Sequence, residues 1–187
     1  MERRARVVEL VRALALERRE DPFTLTSGEI SHEFVDAKLA IARGVDLETV
    51  ATAGIEALTE MGVTDYDAVG GMTMGADPLA HAIAIVADVR WFSVRKEPKG
   101  HGTQRSLEGT RLDPGTPVVL VDDVVTTGGS IQKAFYALDE LGARTIGALT
   151  LVDRGDVAGE FFSERAIPYT ALATYRDLDI PPVGATS

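Results

Sequence analysis

Residues 118–130 read VVLVDDVVTTGGS. The unbroken aliphatic run Val118 to Val121 describes a strand buried on both faces, as in a parallel sheet. Its carboxyl end runs straight into Asp122 and Asp123, and in open α/β sheets ligands settle beyond the carboxyl ends of strands. Adjacent carboxylates suit a vicinal diol, each accepting one hydroxyl, and two negative charges favour positive charge developing on a sugar ring. Thr126, Thr127, Gly128, Gly129 and Ser130 then combine hydroxyls with residues small enough for backbone N–H groups to converge on an anion at a helix start. Gly-Gly-Ser alone reads first as a plain turn with a serine cap, and Asp-Asp alone is no more specific. Joined in this order, each component stands where one part of a 5-phosphoribosyl group requires it.

Outward from this segment the chain alternates strand and helix. Ala68 to Met72, Trp91 to Val94 and Thr145 to Val152 read as strands, and Pro117 to Val121 as the strand before the acids. Helices are expected over Asp77 to Ala87 and from Ser130 to Leu141, the latter stopped by Gly142. A further helix carries Val50, Ala53, Ala57, Leu58 and Met61 on one face, with Asp46 as its cap and Gly62 at its end. Such an order predicts an α/β fold with a mostly parallel central sheet flanked by helices on both faces. Near the N-terminus, Val7, Val8, Leu10, Val11 and Leu14 predict an amphipathic helix ending before Pro22. Phe23 to Lys38 then alternates around Ser27-Gly28-Glu29 as a hairpin or two short extended pieces. Beyond Asp179 a loosely held tail is expected.

Composition narrows the chemistry. With 187 residues, 45% hydrophobic and 26% charged, the chain suits one domain with a full core. No apolar run spans a bilayer and the N-terminus lacks a signal-peptide layout, so a cytoplasmic protein without a membrane role is expected. The absence of cysteine removes thiolate catalysis and Cys-ligated metals. A net charge of −10 disfavours extended nucleic-acid binding. Against that background Arg95 to Arg111 carries five Lys or Arg and two Glu, a basic island that is either a solvated loop or an anion site. No Gly-x-x-x-x-Gly-Lys-Ser/Thr is present, since Gly70 to Gly75 leads into Ala76 and Asp77, and no Gly-x-Gly-x-x-Gly opens a helix.

The 118–130 segment resembles the ribose-phosphate signature of the type I phosphoribosyltransferases. Three further stretches narrow the likeness to the orotate phosphoribosyltransferases: Phe23-Thr24-Leu25-Thr26-Ser27-Gly28, Val94-Arg95-Lys96-Glu97-Pro98-Lys99-Gly100-His101-Gly102, and Leu151-Val152-Asp153-Arg154. The resemblance implies a single domain over 1–187, with a hood formed by about 1–45 and the C-terminal segment, and a mobile loop over about 96–110 that closes on a neighbouring subunit's site. It implies phosphoribosyl pyrophosphate (PRPP) and orotate as substrates, Mg2+ held through substrate oxygens and water with no direct protein ligand, and a homodimer. Catalytic roles would fall to Lys99, His101, Asp122 and Asp123. PRPP would be bound by Arg95, Lys96, Lys99, His101, Thr73 and the run Asp122, Asp123, Val124, Val125, Thr126, Thr127, Gly128, Gly129 and Ser130. Orotate would meet Thr126 and Arg154, whose guanidinium matches a planar carboxylate. The chain departs from the pattern at Thr26 and near Met74, where many orotate enzymes carry lysine; backbone amides and Thr73 are the expected substitutes. His81, at helical spacing, is read as structural. A purine-type phosphoribosyltransferase and a non-catalytic PRPP-sensing regulator are the alternatives. Arg154 and the basic loop disfavour the first, and the lack of a basic face disfavours the second.

Overall fold

The computed structural model describes residues 2–24, 28, 30–97 and 106–183. Its main sheet is built from β3 (Ala68–Met72), β4 (Arg90–Val94), β5 (Leu107–Gly109), β6 (Pro117–Val125), β7 (Arg144–Asp153) and β8 (Tyr169–Thr174). Across the sheet their order is β5-β4-β3-β6-β7-β8. All neighbours pair in parallel except β4 with β5. On one face α1 (Glu2–Leu10), α3 (Gly44–Glu60) and α4 (Asp77–Ala87) cover a core including Val50, Leu58, Ile83, Val119, Val121 and Leu149. On the other, α5 (Gly129–Glu140) and α6 (Val157–Ser163) cover Val118, Leu120, Ile131, Leu138 and Phe162. The alternation of Val118 and Leu120 with Val119 and Val121 between two cores is the reason β6 is apolar at every position before the acids.

The ends of several elements differ from expectation, each for an identifiable reason. The N-terminal helix stops at Leu10, continues as a π-helical turn over Val11–Ala15, and gives way to β1 (Leu16–Thr24). Here pairing overrides helical periodicity, because β1 runs antiparallel to β2 (Ile30–Val35) from Leu16↔Val35 to Thr24↔Ile30. Pro22, which has no N–H to donate, falls in the irregular register between Arg18 and Phe23. Asp46 is not the cap of α3. The helix starts earlier, with Arg43 at the cap position, so the Asp46 carboxylate lies in the first turn, where it complements the helix dipole. Gly62 and Gly142 follow helix ends with positive φ, as expected. Strand β6 runs on to Val125 because Asp122, Val124 and Val125 stay paired with Thr150, Val152 and Asp153 of β7. The short α2 (Ala37–Ala40), β5, α6 and β8 were not anticipated. Leu107–Gly109, inside the expected loop, is an edge strand.

Residues 180–183 of the expected tail are held rather than loose, and 184–187 lie outside the described residues. Ile180 and Val183 are buried, and the Val183 amide donates to the Arg154 carbonyl at 2.6 Å. Arg12 and Arg18, in the N-terminal unit, donate to the Asp177 and Asp179 carbonyls, so the two chain ends pack together beside the carboxyl ends of β6 and β7. Among the described residues no helix is long and apolar enough to cross a membrane.

Candidate active site

A cleft of about 570 Å³ opens at the carboxyl end of β6. Its floor is Asp122 to Ser130 and its end wall includes Arg154, while the β1–β2 hairpin supplies Phe23, Thr24, Phe34 and Val35 from above. All nine residues of the expected ribose-phosphate segment therefore face one space, with Arg154 beside them. A larger groove of about 770 Å³ between α1 and α3 is lined by residues such as Arg3, Arg6 and Glu56 and gathers no comparable chemistry.

The phosphate end follows from how α5 begins. Gly128 occupies its cap position with φ 74°, a left-handed conformation that glycine adopts without steric cost. No side chain caps the helix, so serine capping, the plainest reading of Gly-Gly-Ser, does not occur. A helix whose first N–H groups have no side-chain acceptor presents them, with the positive end of its dipole, to an anion in the cleft.

The two acids differ in environment. Each accepts a hydrogen bond from the next amide, Asp123 N–H to Asp122 at 3.0 Å and Val124 N–H to Asp123 at 2.8 Å, which fixes one oxygen of each carboxyl. Asp122 is only 4% exposed, and burial followed by repulsion from Asp123 pushes its pKa up to about 8. Lys96 pulls the other way. The expectation of two negative charges thus meets an opposing tendency in the empty cleft, where burial favours the protonated form of Asp122.

Gly75 reaches the pair from β3's side. A Cβ there would lie 2.5 Å from the Asp123 Oδ1, so only glycine leaves this carboxylate in place. Gly75→Ala is expected to lower kcat/KM for PRPP by roughly ten- to a hundred-fold, the scale of a misplaced reacting group, with a near-native melting temperature. Steady-state kinetics and a thermal melt check this, and unchanged kinetics would free Asp123 from a role.

Thr73, Arg95 and Lys96 do not line this cleft. They share a neighbouring hollow of about 540 Å³ with Met74, Ser93, Glu97 and Glu108. Thr73 already commits its donors within the protein, the hydroxyl to Asp77 at 2.7 Å and the amide to the Val94 carbonyl at 2.8 Å. Arg95 is ion-paired with Glu108. Lys99 and His101 lie outside the described residues, as does Thr26.

At the opposite end Arg154 is 1% exposed and fixed from three sides. Its amide donates to Val125 at 2.8 Å, its carbonyl accepts from Val183, and its Nη1 donates to the Glu33 carbonyl of the hood at 3.0 Å. The preceding Asp153 is anchored by Tyr169 Oη at 2.6 Å and by the Gly155 amide at 3.1 Å, and burial raises its pKa.

Comparison with known proteins decides the family. Residues 57–160 match the family model of the phosphoribosyl transferase domain. The orotate phosphoribosyltransferase of Corynebacterium glutamicum (strain R) is 39% identical over 182 residues, 96% of each chain. That of Aquifex aeolicus is 38% identical over 94% of this chain and 97% of its own. Among solved structures, Mycobacterium tuberculosis H37Rv orotate phosphoribosyltransferase in complex with PRPP superimposes with a TM-score of 0.75 at 31% identity, covering 95% of this chain and 99% of that one. The chain belongs to the orotate phosphoribosyltransferase family.

For an orotate phosphoribosyltransferase, the sequence reading overlooked several residues that line this cleft. Phe23, Phe34 and Val35 form its apolar roof, and Arg19 lies over the Phe23 ring at 4.7 Å. Lys38 and Lys133 add charge from α2 and α5. One signal was available in the composition. The chain has four lysines against fifteen arginines. Lys38, Lys96 and Lys133 all border the cleft or its neighbouring hollow, and Lys99 sits in the family's loop motif, so lysine itself marks the site.

Proposed function

We propose that the protein transfers the 5-phosphoribosyl group of PRPP to orotate, giving orotidine 5′-monophosphate and pyrophosphate in pyrimidine synthesis. The observation that carries this reading is the single cleft in which an acidic pair, an uncapped helix N-terminus and a buried arginine face one another at pentose-phosphate scale. The backbone N–H groups of 128–130 hold the 5′-phosphate. Asp122 and Asp123 hold the 2′- and 3′-hydroxyls, and Thr126 and Arg154 fix the orotate ring and carboxylate against Phe34. Arg95 and Lys96, which line the adjoining hollow, serve the diphosphate together with Lys99 and His101. As the bond from C1′ to the diphosphate oxygen breaks and the bond to N1 of orotate forms, with the N1 proton passing to the departing diphosphate or to water, the sugar passes through an oxocarbenium-like state. The chain's part is to align the two reactants and to stabilise the departing anion.

Among the described residues no three His, Cys, Asp or Glu converge as a metal cage, while Asp123, partly exposed in the cleft, offers hard oxygen suited to water-mediated contact. Magnesium carried by the substrate's own oxygens fits this donor set, and when bound it neutralises charge on the leaving diphosphate. We read the protein as cytoplasmic and as a homodimer. An apolar face supports the dimer: Ile85 and Val86 of α4 are exposed beside His81, which packs edge-on against the exposed Trp91 at 4.5 Å.

The reading is tested by following pyrophosphate release from PRPP and Mg2+ with orotate, adenine or hypoxanthine. Release is expected with orotate alone, and release with a purine instead would move the protein to the purine enzymes. Lys99→Ala is expected to lower turnover by roughly a hundred-fold or more, the scale of one lost transition-state charge contact. Mixing that variant with Asp123→Asn should restore part of the activity if each loop serves the other subunit's site. Absence of recovery would make each site self-contained.

A further inference from the structure

We propose that Lys38 is a further PRPP-binding and positioning residue, an ammonium held between Asp36 of the hood and Asp123 of the floor that turns to the substrate's anionic oxygens when the sugar takes over Asp123. The inference rests on the phosphoribosyl transfer proposed above. Lys38 Nζ is 2.8 Å from Asp36 Oδ1 and 3.7 Å from Asp123 Oδ2, and its side chain is half exposed on the cleft wall. Asp36 also accepts the Lys38 backbone N–H at 3.3 Å, capping the short α2, so the side chain starts from a fixed point.

Three considerations turn this ion pair into a binding role. A surface pair of this exposure contributes little to stability, so stability gives little reason for its placement. In a chain with fifteen arginines, position 38 has one of only four lysines. An ammonium is a compact charge whose three donors rotate freely and can be shared or handed over, which a planar guanidinium fork does less readily. Finally, the Lys38 contact with Asp123, at 3.7 Å, is longer than a direct hydrogen bond, so a ribose hydroxyl that takes this carboxylate oxygen displaces a loose partner while Asp36 still holds the ammonium at 2.8 Å. Binding the sugar weakens the pair and frees the ammonium, on the cleft wall, for the substrate's anionic oxygens. In the empty cleft the same contact offsets the charge of Asp123 and lowers the repulsion that a polyanion meets on entry.

The test measures PRPP affinity directly, by calorimetry with Mg2+ and no orotate, alongside steady-state KM values and kcat. Lys38→Ala is expected to weaken PRPP binding roughly tenfold and leave the orotate KM within about twofold, a split that general damage to the hood would not give. Lys38→Arg should recover only part of the loss, because the charge remains but the guanidinium fork passes less readily from Asp123 to the substrate. Arg43→Ala, which removes an exposed cation paired with Asp46 outside the cleft, should leave PRPP binding unchanged and so control for net charge. PRPP affinity of folded Lys38→Ala within about twofold of wild type would overturn the proposal, as would equal weakening of PRPP and orotate. Wild-type protein that binds PRPP but does not consume orotate would sink the substrate reading while leaving Lys38 in place. Wild-type protein that does not bind PRPP would sink both.

Discussion

Alanine at Arg154 is expected to reduce kcat/KM for orotate by roughly a hundred- to a thousand-fold while PRPP binding stays within about threefold. The guanidinium is buried, at the end of a strand whose last residues are fastened by Val125, Val183 and the Asp153–Tyr169 pair. A cation so placed loses little mobility when it meets a carboxylate, and burial strengthens the pairing relative to a solvated arginine. Truncation leaves the orotate carboxylate without its partner and removes the Nη1 bond to Glu33 that ties hood to floor. Arg154→Lys would not restore activity, because an ammonium cannot reproduce two parallel N–H bonds at a fixed site. The measurement is a pair of titrations, orotate kinetics at saturating PRPP and PRPP calorimetry without orotate, with a melt to verify folding. Parallel loss of both substrates in a folded variant would assign Arg154 to the architecture of the cleft instead of the base.

The fold and the floor of the site were legible because their causes are local. Val118 to Val121 had to be a doubly buried strand, and the acids and small residues after it had to stand at the sheet's ligand-binding edge. What was hidden depends on partners distant in the chain. Leu16 to Arg18 reads as the end of a helix until its pairing with Glu33 to Val35 is known. Lys38 and Arg19 look like ordinary surface charge until the hairpin folds over the Asp122–Asp123 pair. The tail from Asp179 reads as loose because its anchor, the Arg154 carbonyl, is remote in sequence. The unequal state of the two acids was hidden for the same reason, since burial is a property of the packed sheet and not of the Asp-Asp dipeptide.

That inequality has a consequence for stability as well as for catalysis. The pKa of Asp122 rises from 3.8 in the unfolded chain to about 8 in the folded protein, chiefly through burial and then through Asp123. Below the lower value both states are protonated and the site contributes no pH dependence. Between the two values the native protein keeps a proton that the unfolded chain has released, so stability falls as pH rises, and above the upper value the full penalty of a buried charge is present. Asp122→Asn, neutral throughout, escapes this penalty. Its melting temperature should match wild type near pH 4 and exceed it increasingly towards about pH 8 to 9. A gain on the order of 2 kcal/mol is expected there, less than the linkage limit because part of the shift is repulsion shared with Asp123. The same variant should lose roughly a hundred- to a thousand-fold in kcat, since an amide cannot supply the negative charge that the oxocarbenium-like sugar demands. Stability and activity thus move in opposite directions on one substitution. A difference in melting temperature that stays flat from about pH 5 to 9 would show that the carboxyl is already ionised in the empty cleft, and the pair would then meet the substrate with both charges in place.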